Sequence, residues 1–468
     1  RDRRNYADDS DLNKLSRAEF AWSLNVDEVS KALAARRNTR QFAQFLTDSH
    51  QEGSPKDVLT GKEEVIGSEA MWEKTLPEFT DKERSYGAIT IVKRLWSSGA
   101  DCYLASLLDE SQRKSYLEMH HFESTESIAE KNDNPRNYVA ILAMDGDEMG
   151  KWMNGDKAPA LVELLEEAPK EYFKRNITDY ESIKRPLSPG YHAQFSEMLT
   201  NFTARIAGRV VAEFDGELIY AGGDDVLAML PMDKALPCAS ALRELFQGRV
   251  PEGLRKYWQE TNVNGFLREV DSCGVAGAYL IVPGERADLS CGIAIGHQCY
   301  PLQHLVQAAR LAEERAKKHY ERGAVAVSAL KRSGEIIHWG TKWDINGNQL
   351  LGDFTTLVFG KDNDKEEKFI SGRFAYALAQ LCAPYELHKV AYSSEAMLDV
   401  IKLEFEHVCS QQTDQKKAEV KKFKADALKY FADEAGFYAV EEPKVFCNNF
   451  INLFLLASFI GRPGEGDK

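Results

Sequence analysis

The 468-residue chain has no G-x-x-x-x-G-K-[ST] loop and no strand-linked G-x-G-x-x-G, which excludes the usual P-loop and dinucleotide-binding signals. Its eight cysteines form no C-x-x-C pair, so neither a structural zinc site nor a disulfide framework is indicated, and a reducing cytoplasm is expected. No charged-then-apolar leader opens the sequence. The longest apolar stretch, residues 450–460, is interrupted by Asn452 and Ser458 and is too short to span a bilayer, so it reads as a buried helix and no membrane partner is expected. Basic charge is also scarce. With 59 Lys and Arg against 73 Asp and Glu, the formal net charge is −14, which argues against a broad basic surface that grips nucleic acid regardless of its sequence. Any RNA contact must be local or made by a partner. The chain begins at Arg1 and not at Met, and it reads as a piece of a longer protein.

What is present is a globular composition, 43% hydrophobic and 28% charged, in a chain long enough for two to four domains. Residues 1–136 read as mainly helical. Trp22, Val26, Val29 and Leu33 keep helical spacing, residues 49–68 are a polar linker, and Ile89, Ile91, Val92 and Leu95 are candidate core. Asn134-Pro135-Arg136 ends this region, because a proline pushes the residue before it out of helical conformation.

From 137 to 342 strands and helices alternate. The apolar run 138–144 reads as a central strand buried on both faces, followed by an acidic helix over 158–167 and a longer one over 191–214. Short strands over 218–221 and 226–230 flank a turn. A helix over 234–246, strands over 274–282 and 290–296, and a helix over 301–322 follow, with candidate edge strands at 324–330 and 335–339. This order predicts an α+β domain with helices on one face of a mainly antiparallel sheet. Residues 343–468 return to helical spacing and read as an all-helical domain.

The turn at 222–225 is Gly222-Gly223-Asp224-Asp225. Its glycines allow the positive φ of a tight hairpin, and its two carboxylates offer oxygen ligands to a divalent cation. Asp145 ends the strand 138–144 and would complete a metal site if the two strands pair, as metal-dependent phosphoryl transfer requires. Each motif has a plainer reading. Asp145-Gly146-Asp147 alone marks a turn or helix cap. As a calcium loop it fails, with Met149 where an oxygen ligand belongs, Asp156 where a bidentate Glu is expected, and a strand before it instead of a helix. An Asp pair at a turn repels itself unless a cation is present, which favours the metal reading for Asp224 and Asp225. His120-His121-Phe122-Glu123 lacks the P-C-x-x-C of a zinc deaminase, and His297 with Cys299 lacks a third ligand. Lysines 416, 417, 421, 422, 424 and 429 read as a solvated helix face.

Several motifs occur together and in order: Asp145-Gly146-Asp147-Glu148-Met149-Gly150-Lys151, Ser188-Pro189-Gly190-Tyr191-His192 leading into Ser196, Tyr220 to Ala228 around the acidic turn, Gly292-Ile293-Ala294-Ile295 before Pro301-Leu302, Ala316-Lys317, and Lys331 to Glu335. As a set over about 137–345 they resemble the large subunit of type III CRISPR RNA-guided effector complexes, in the Cmr branch (type III-B). The resemblance implies a ferredoxin-like palm of the nucleotidyl cyclase and polymerase type, flanked by mainly helical domains. It implies joining of ATP into cyclic oligoadenylates when target RNA is captured. Asp145, Asp224 and Asp225 would hold Mg²⁺ or Mn²⁺. Gly222, Gly223 and Gly146 would let the nucleotide approach, Lys317 would contact phosphate, and Ser196 would contact base or sugar. Implied partners are the other Cmr subunits, guide CRISPR RNA and target RNA.

Residues 83–94 are similar to the second half of the family's zinc module, without its cysteines, and no His-Asp nuclease motif is present. Some relatives instead conjugate AMP to S-adenosylmethionine, and a catalytically silent scaffold is a further alternative. A diguanylate cyclase is disfavoured, since Val226 follows the acidic pair where that family has Phe after Glu.

Overall fold

The computed structural model describes residues 17–39, 56–58, 61, 64–66, 86–95, 125–132, 137–185, 187–270, 276–360, 368–439 and 445–462. Cα packing separates residues 27–121 from a second unit made of 1–26 and 122–468. The histidine pair at 120–121, most of the linker at 49–68 and residues 83–85 of the expected zinc-module remnant lie outside the described residues.

Helix α1 (Arg17–Asn38) carries Val29 and Leu33 exposed. In α2 (Ala88–Leu95) the core expectation is corrected: Ile89 and Val92 are more than half exposed. Thr90 is the buried residue on this helix, and Tyr86, just before the helix begins, is buried as well. Just before the helix, buried Asp57 accepts a 2.6 Å hydrogen bond from the Gly87 amide.

In the larger unit, α3 (Thr125–Ala129) precedes β1 (Tyr138–Gly146). Short α4 (Met149–Met153) and α5 (Glu167–Asn176) follow. The acidic helix expected over 158–167 is therefore shifted: Pro159 cannot donate, residues 161–164 make only a 3₁₀ turn, and α5 begins where that helix was expected to end. Helix α6 (Pro189–Asn201) starts on Ser188, whose hydroxyl accepts from the Tyr191 amide. It continues through a π-helical turn (Phe202–Ala207) into α7 (Gly208–Glu213). Then come β2 (Glu217–Gly222), β3 (Asp225–Pro231), α8 (Ala235–Phe246), β4 (Trp258–Glu260), β5 (Phe266–Val270), β6 (Ala276–Ile281), β7 (Leu289–His297), α9 (Leu302–Lys318), β8 (Ala324–Leu330) and β9 (Ile336–Lys342).

The main sheet has the order β2-β3-β1-β7-β8-β9, with β7 and β8 the parallel pair. Its β2-β3-β1-β7 part, with α6–α7 and α8 as crossovers, is the split βαβ-βαβ arrangement of a ferredoxin-like domain. A second sheet, β4-β5-β6, was not foreseen. Helices cover both faces of the main sheet, not one. Ala140, Leu142 and Met144 of β1 join the core with α6–α8, while Val139, Ile141 and Ala143 pack with Leu305 and Ala309 of α9 and Ile128 of α3. The expectation of β1 buried on both faces fits this layering.

After the sheet come α10 (Gly347–Phe359), α11 (Phe374–Cys382), α12 (Glu395–Gln412), α13 (Ala418–Tyr438) and α14 (Asn448–Gly461). They share the sheet's core, so the start of the helical region near 343 is a change of secondary structure within one packed body. Phe354, Phe374, Phe405 and Phe450 surround Phe454 at ring separations of 5.0 to 5.7 Å. The interrupted apolar stretch is thus the buried α14. Among the described residues no helix is long and apolar enough to cross a membrane.

Candidate metal and nucleotide site

Asp145 lies at the end of the central strand because the apolar run that fills the core stops at Met144, whose pairing partner on β3 is Val226. One residue further, the β2–β3 hairpin closes with Gly222 opposite Asp225, and Gly223 takes the left-handed φ of +67° at the tip. The antiparallel register therefore brings Asp145 to the hairpin tip. One carboxylate oxygen from each of Asp145, Asp224 and Asp225 lies within 4.8 Å of the others, the one such metal-competent group of three or more among the described residues.

Gly146 makes this closeness possible. A Cβ there would lie 2.7 Å from Asp224 Cβ and 2.8 Å from its Oδ2, and the Gly146 amide donates a hydrogen bond to Asp224. Burial and then the Asp145 charge push the Asp224 carboxyl upward. Asp225 is pushed up to about 7, first by its hydrogen bond with Asp145, then by burial and by the charges of Asp145, Asp224 and Glu313. Carboxylates that resist ionising together are the behaviour of a site short of positive charge. Lys317, from the last turn of α9, supplies part of it by pairing with Asp145 and, at 2.7 Å, with Glu313. Burial lowers its affinity for a proton, but these two pairings outweigh burial and hold the ammonium above its ordinary range. An all-oxygen donor set without His or Cys suits Mg²⁺ or Mn²⁺ and not zinc.

Asp147, two residues past Asp145, is buried and is not part of this group. It accepts from Ser290 Oγ at 2.7 and 2.9 Å and from the Gly323 amide at 2.7 Å. Burial is the largest influence on it and raises its pKa. Sequence reading gave Asp147 and Glu313 no role, since a carboxylate in a turn or on a charged helix carries no signal of what it faces. Of the other expected residues, Gly146, Gly222, Gly223 and Lys317 stand with the carboxylates. Ser196 does not: it is exposed on α6, and no contact brings it to them. An apolar cavity of about 220 Å³ is lined by Met149, Trp152, Tyr191, Phe195 and Met198 with Arg185 and Gln194, and Ser196 is not among its walls. His297 accepts from the Cys299 amide within its own turn, at 3.2 Å.

A ferredoxin-like sheet with acidic residues at the end of its first strand and at its β2–β3 tip defines a palm domain of the nucleotidyl cyclase and polymerase type. Residues 138–326 match the family described as Cas10/Cmr2, second palm domain. A Cmr subunit of Pyrococcus furiosus, "CRISPR system Cmr subunit Cmr2", is 35% identical over 247 residues, covering 52% of this chain. The corresponding Saccharolobus solfataricus subunit is 33% identical over 107 residues, 23% of this chain and 10% of that protein. The chain spans about a quarter (24%) of the length of the Pyrococcus relative. Among solved structures, the type III-B Cmr-beta complex bound to cognate target RNA aligns with a TM-score of 0.48 at 15% identity, covering 78% of this chain and 42% of that one.

Proposed function

We propose that this chain is the palm-bearing part of a type III CRISPR effector subunit, and that it joins ATP into cyclic oligoadenylates in response to target RNA. The observation that carries the reading is the convergence of Asp145, Asp224 and Asp225, far apart in sequence, within 4.8 Å. The match of residues 138–326 to the Cas10/Cmr2 second palm domain supports it. The other Cmr subunits, guide RNA and target RNA are the proposed partners, and the net charge of −14 favours RNA contact through that assembly over contact along a basic surface of this chain.

In the reaction, the 3′ or 2′ hydroxyl oxygen of one ATP attacks the α-phosphorus of another, the bond to pyrophosphate breaks, and the hydroxyl proton leaves to solvent. A bound divalent cation supplies charge neutralisation at the phosphates and makes that hydroxyl more acidic. The carboxylates hold the cation. The Gly222–Gly223 backbone admits the triphosphate, and Lys317, kept charged by Asp145 and Glu313, meets phosphate. No side-chain nucleophile is needed.

The test is mass spectrometry of products from ATP and Mg²⁺ with the assembled complex, guide RNA and target RNA, with and without S-adenosylmethionine. Cyclic oligoadenylates that appear only with target RNA support the proposal. An adenylate conjugate formed only with S-adenosylmethionine, or no product at all, contradicts it.

A further inference from the structure

We infer that Asp147 is a positioning residue for the cation centre: it anchors the turn that presents both Asp145 and the Gly146 amide. The inference rests on reading Asp145, Asp224 and Asp225 as cation ligands. Asp147 itself is no fourth ligand. It is 5% exposed, and both of its oxygens are engaged, one by Ser290 Oγ and the other by Ser290 Oγ and the Gly323 amide.

The anchor reaches three elements. Ser290 sits on β7 directly opposite Asp145 in the β1–β7 register, so the Asp147 side chain grips the strand that flanks the ligand. Gly323 lies just before β8, in the turn that follows α9, the helix bearing Glu313 and Lys317. The Asp147 amide donates to the Asp288 carbonyl at 2.9 Å, and the Asp288 carboxylate is gripped twice by Arg243 of α8, at 2.6 and 2.8 Å. One buried carboxylate thus ties the end of β1 to β7 and to the α9–β8 turn.

The turn needs such an anchor. Glu148, the next residue, has φ +57°, a left-handed conformation that costs a non-glycine residue about 1 kcal/mol or more and persists only where surrounding contacts impose it. Its ion pairs with Lys151 and Lys157 supply one such contact from the solvent side. Asp147 supplies the other from the interior. With Asp147 removed, the turn relaxes, and the Gly146 amide that donates to Asp224 moves with it.

Mn²⁺ binding to the full chain, followed by electron paramagnetic resonance of the free ion, tests the inference without relying on turnover. Asp147→Ala is expected to weaken Mn²⁺ binding tenfold or more, and Asp147→Asn, which keeps an acceptor for Gly323, to recover most of it. Ser290→Ala, which removes the hydroxyl shared by both Asp147 oxygens and leaves Asp147 and its Gly323 bond in place, is expected to weaken binding about threefold, and it decides the matter if Asp147→Ala does not fold. Folded Asp147→Ala or Ser290→Ala protein that binds Mn²⁺ as tightly as the unaltered chain overturns the inference. If the unaltered chain binds no Mn²⁺, or a joint Asp224→Asn and Asp225→Asn variant binds it equally well, the cation reading itself fails, and the inference falls with it.

Discussion

Gly146 and Asp224 are packed so closely that a single added methyl on the glycine would sit 2.7 Å from the aspartate Cβ. The same methyl would also lie 2.7 Å from Met149 Cγ, so it has no open side to move into. Gly146→Ala is therefore expected to displace the hairpin tip, costing roughly 1–3 kcal/mol of stability as an overpacked site. It should also weaken Mn²⁺ binding about tenfold. Thermal unfolding and Mn²⁺ titration together check this, and an Ala variant with unchanged affinity would show that the close approach is not needed.

Lys317 is the main cation facing the carboxylates. Lys317→Met leaves Asp145, Asp224, Asp225 and Glu313 without its charge, so the protein without added metal should melt earlier. A divalent cation should then stabilise the variant more than it stabilises the unaltered chain, because it replaces the missing charge. Scanning calorimetry with and without Mg²⁺ reads this directly. In the complete complex the same variant is expected to raise the KM for ATP about tenfold.

Away from the site, Glu434 of α13 is fully buried and accepts hydrogen bonds from Tyr392 and Tyr430 at 2.6 Å and from Asn449 at 2.7 Å. Asn449 in turn pairs with the Gly340 backbone, so the network fastens the terminal helices to β9. Burial pushes the Glu434 carboxyl up to about 7 from an ordinary 4.5, while its three hydrogen bonds pull the other way. Between those values the folded chain holds a proton that the unfolded chain has lost. Its contribution is thus full below about pH 4.5 and is lost as pH rises through 7, on the order of 3 kcal/mol. Glu434→Gln should flatten this part of the stability profile between pH 5 and 8, as measured by denaturant unfolding. A profile parallel to that of the unaltered chain would contradict the assignment.

Much of the palm was legible because its signals are local. The run 138–144 is apolar without alternation, as a strand buried on both faces must be, and the acidic hairpin is bounded by two short apolar strands. The β4–β5–β6 sheet was missed because β4 has only three residues, two of them exposed, and Arg268 interrupts β5. The second helical layer was missed because helices on one face or on both give the same order of elements. The small residues that admit α9, Gly292 and Ala294, read simply as strand. Asp145, Asp224 and Asp225 were legible as residue types at strand ends. The surroundings of Asp147 were not legible, because which way a turn faces is decided by partners such as Ser290 and Gly323, which are remote in sequence.

The most direct measurement is crystallographic: the chain soaked with Mn²⁺ and a non-hydrolysable ATP analogue, with data collected at the manganese absorption edge. The account predicts an anomalous peak about 2.0–2.4 Å from carboxylate oxygens of Asp145 and of the Asp224–Asp225 tip, in contact with the triphosphate. Triphosphate bound elsewhere, or no manganese among these three carboxylates, would contradict it.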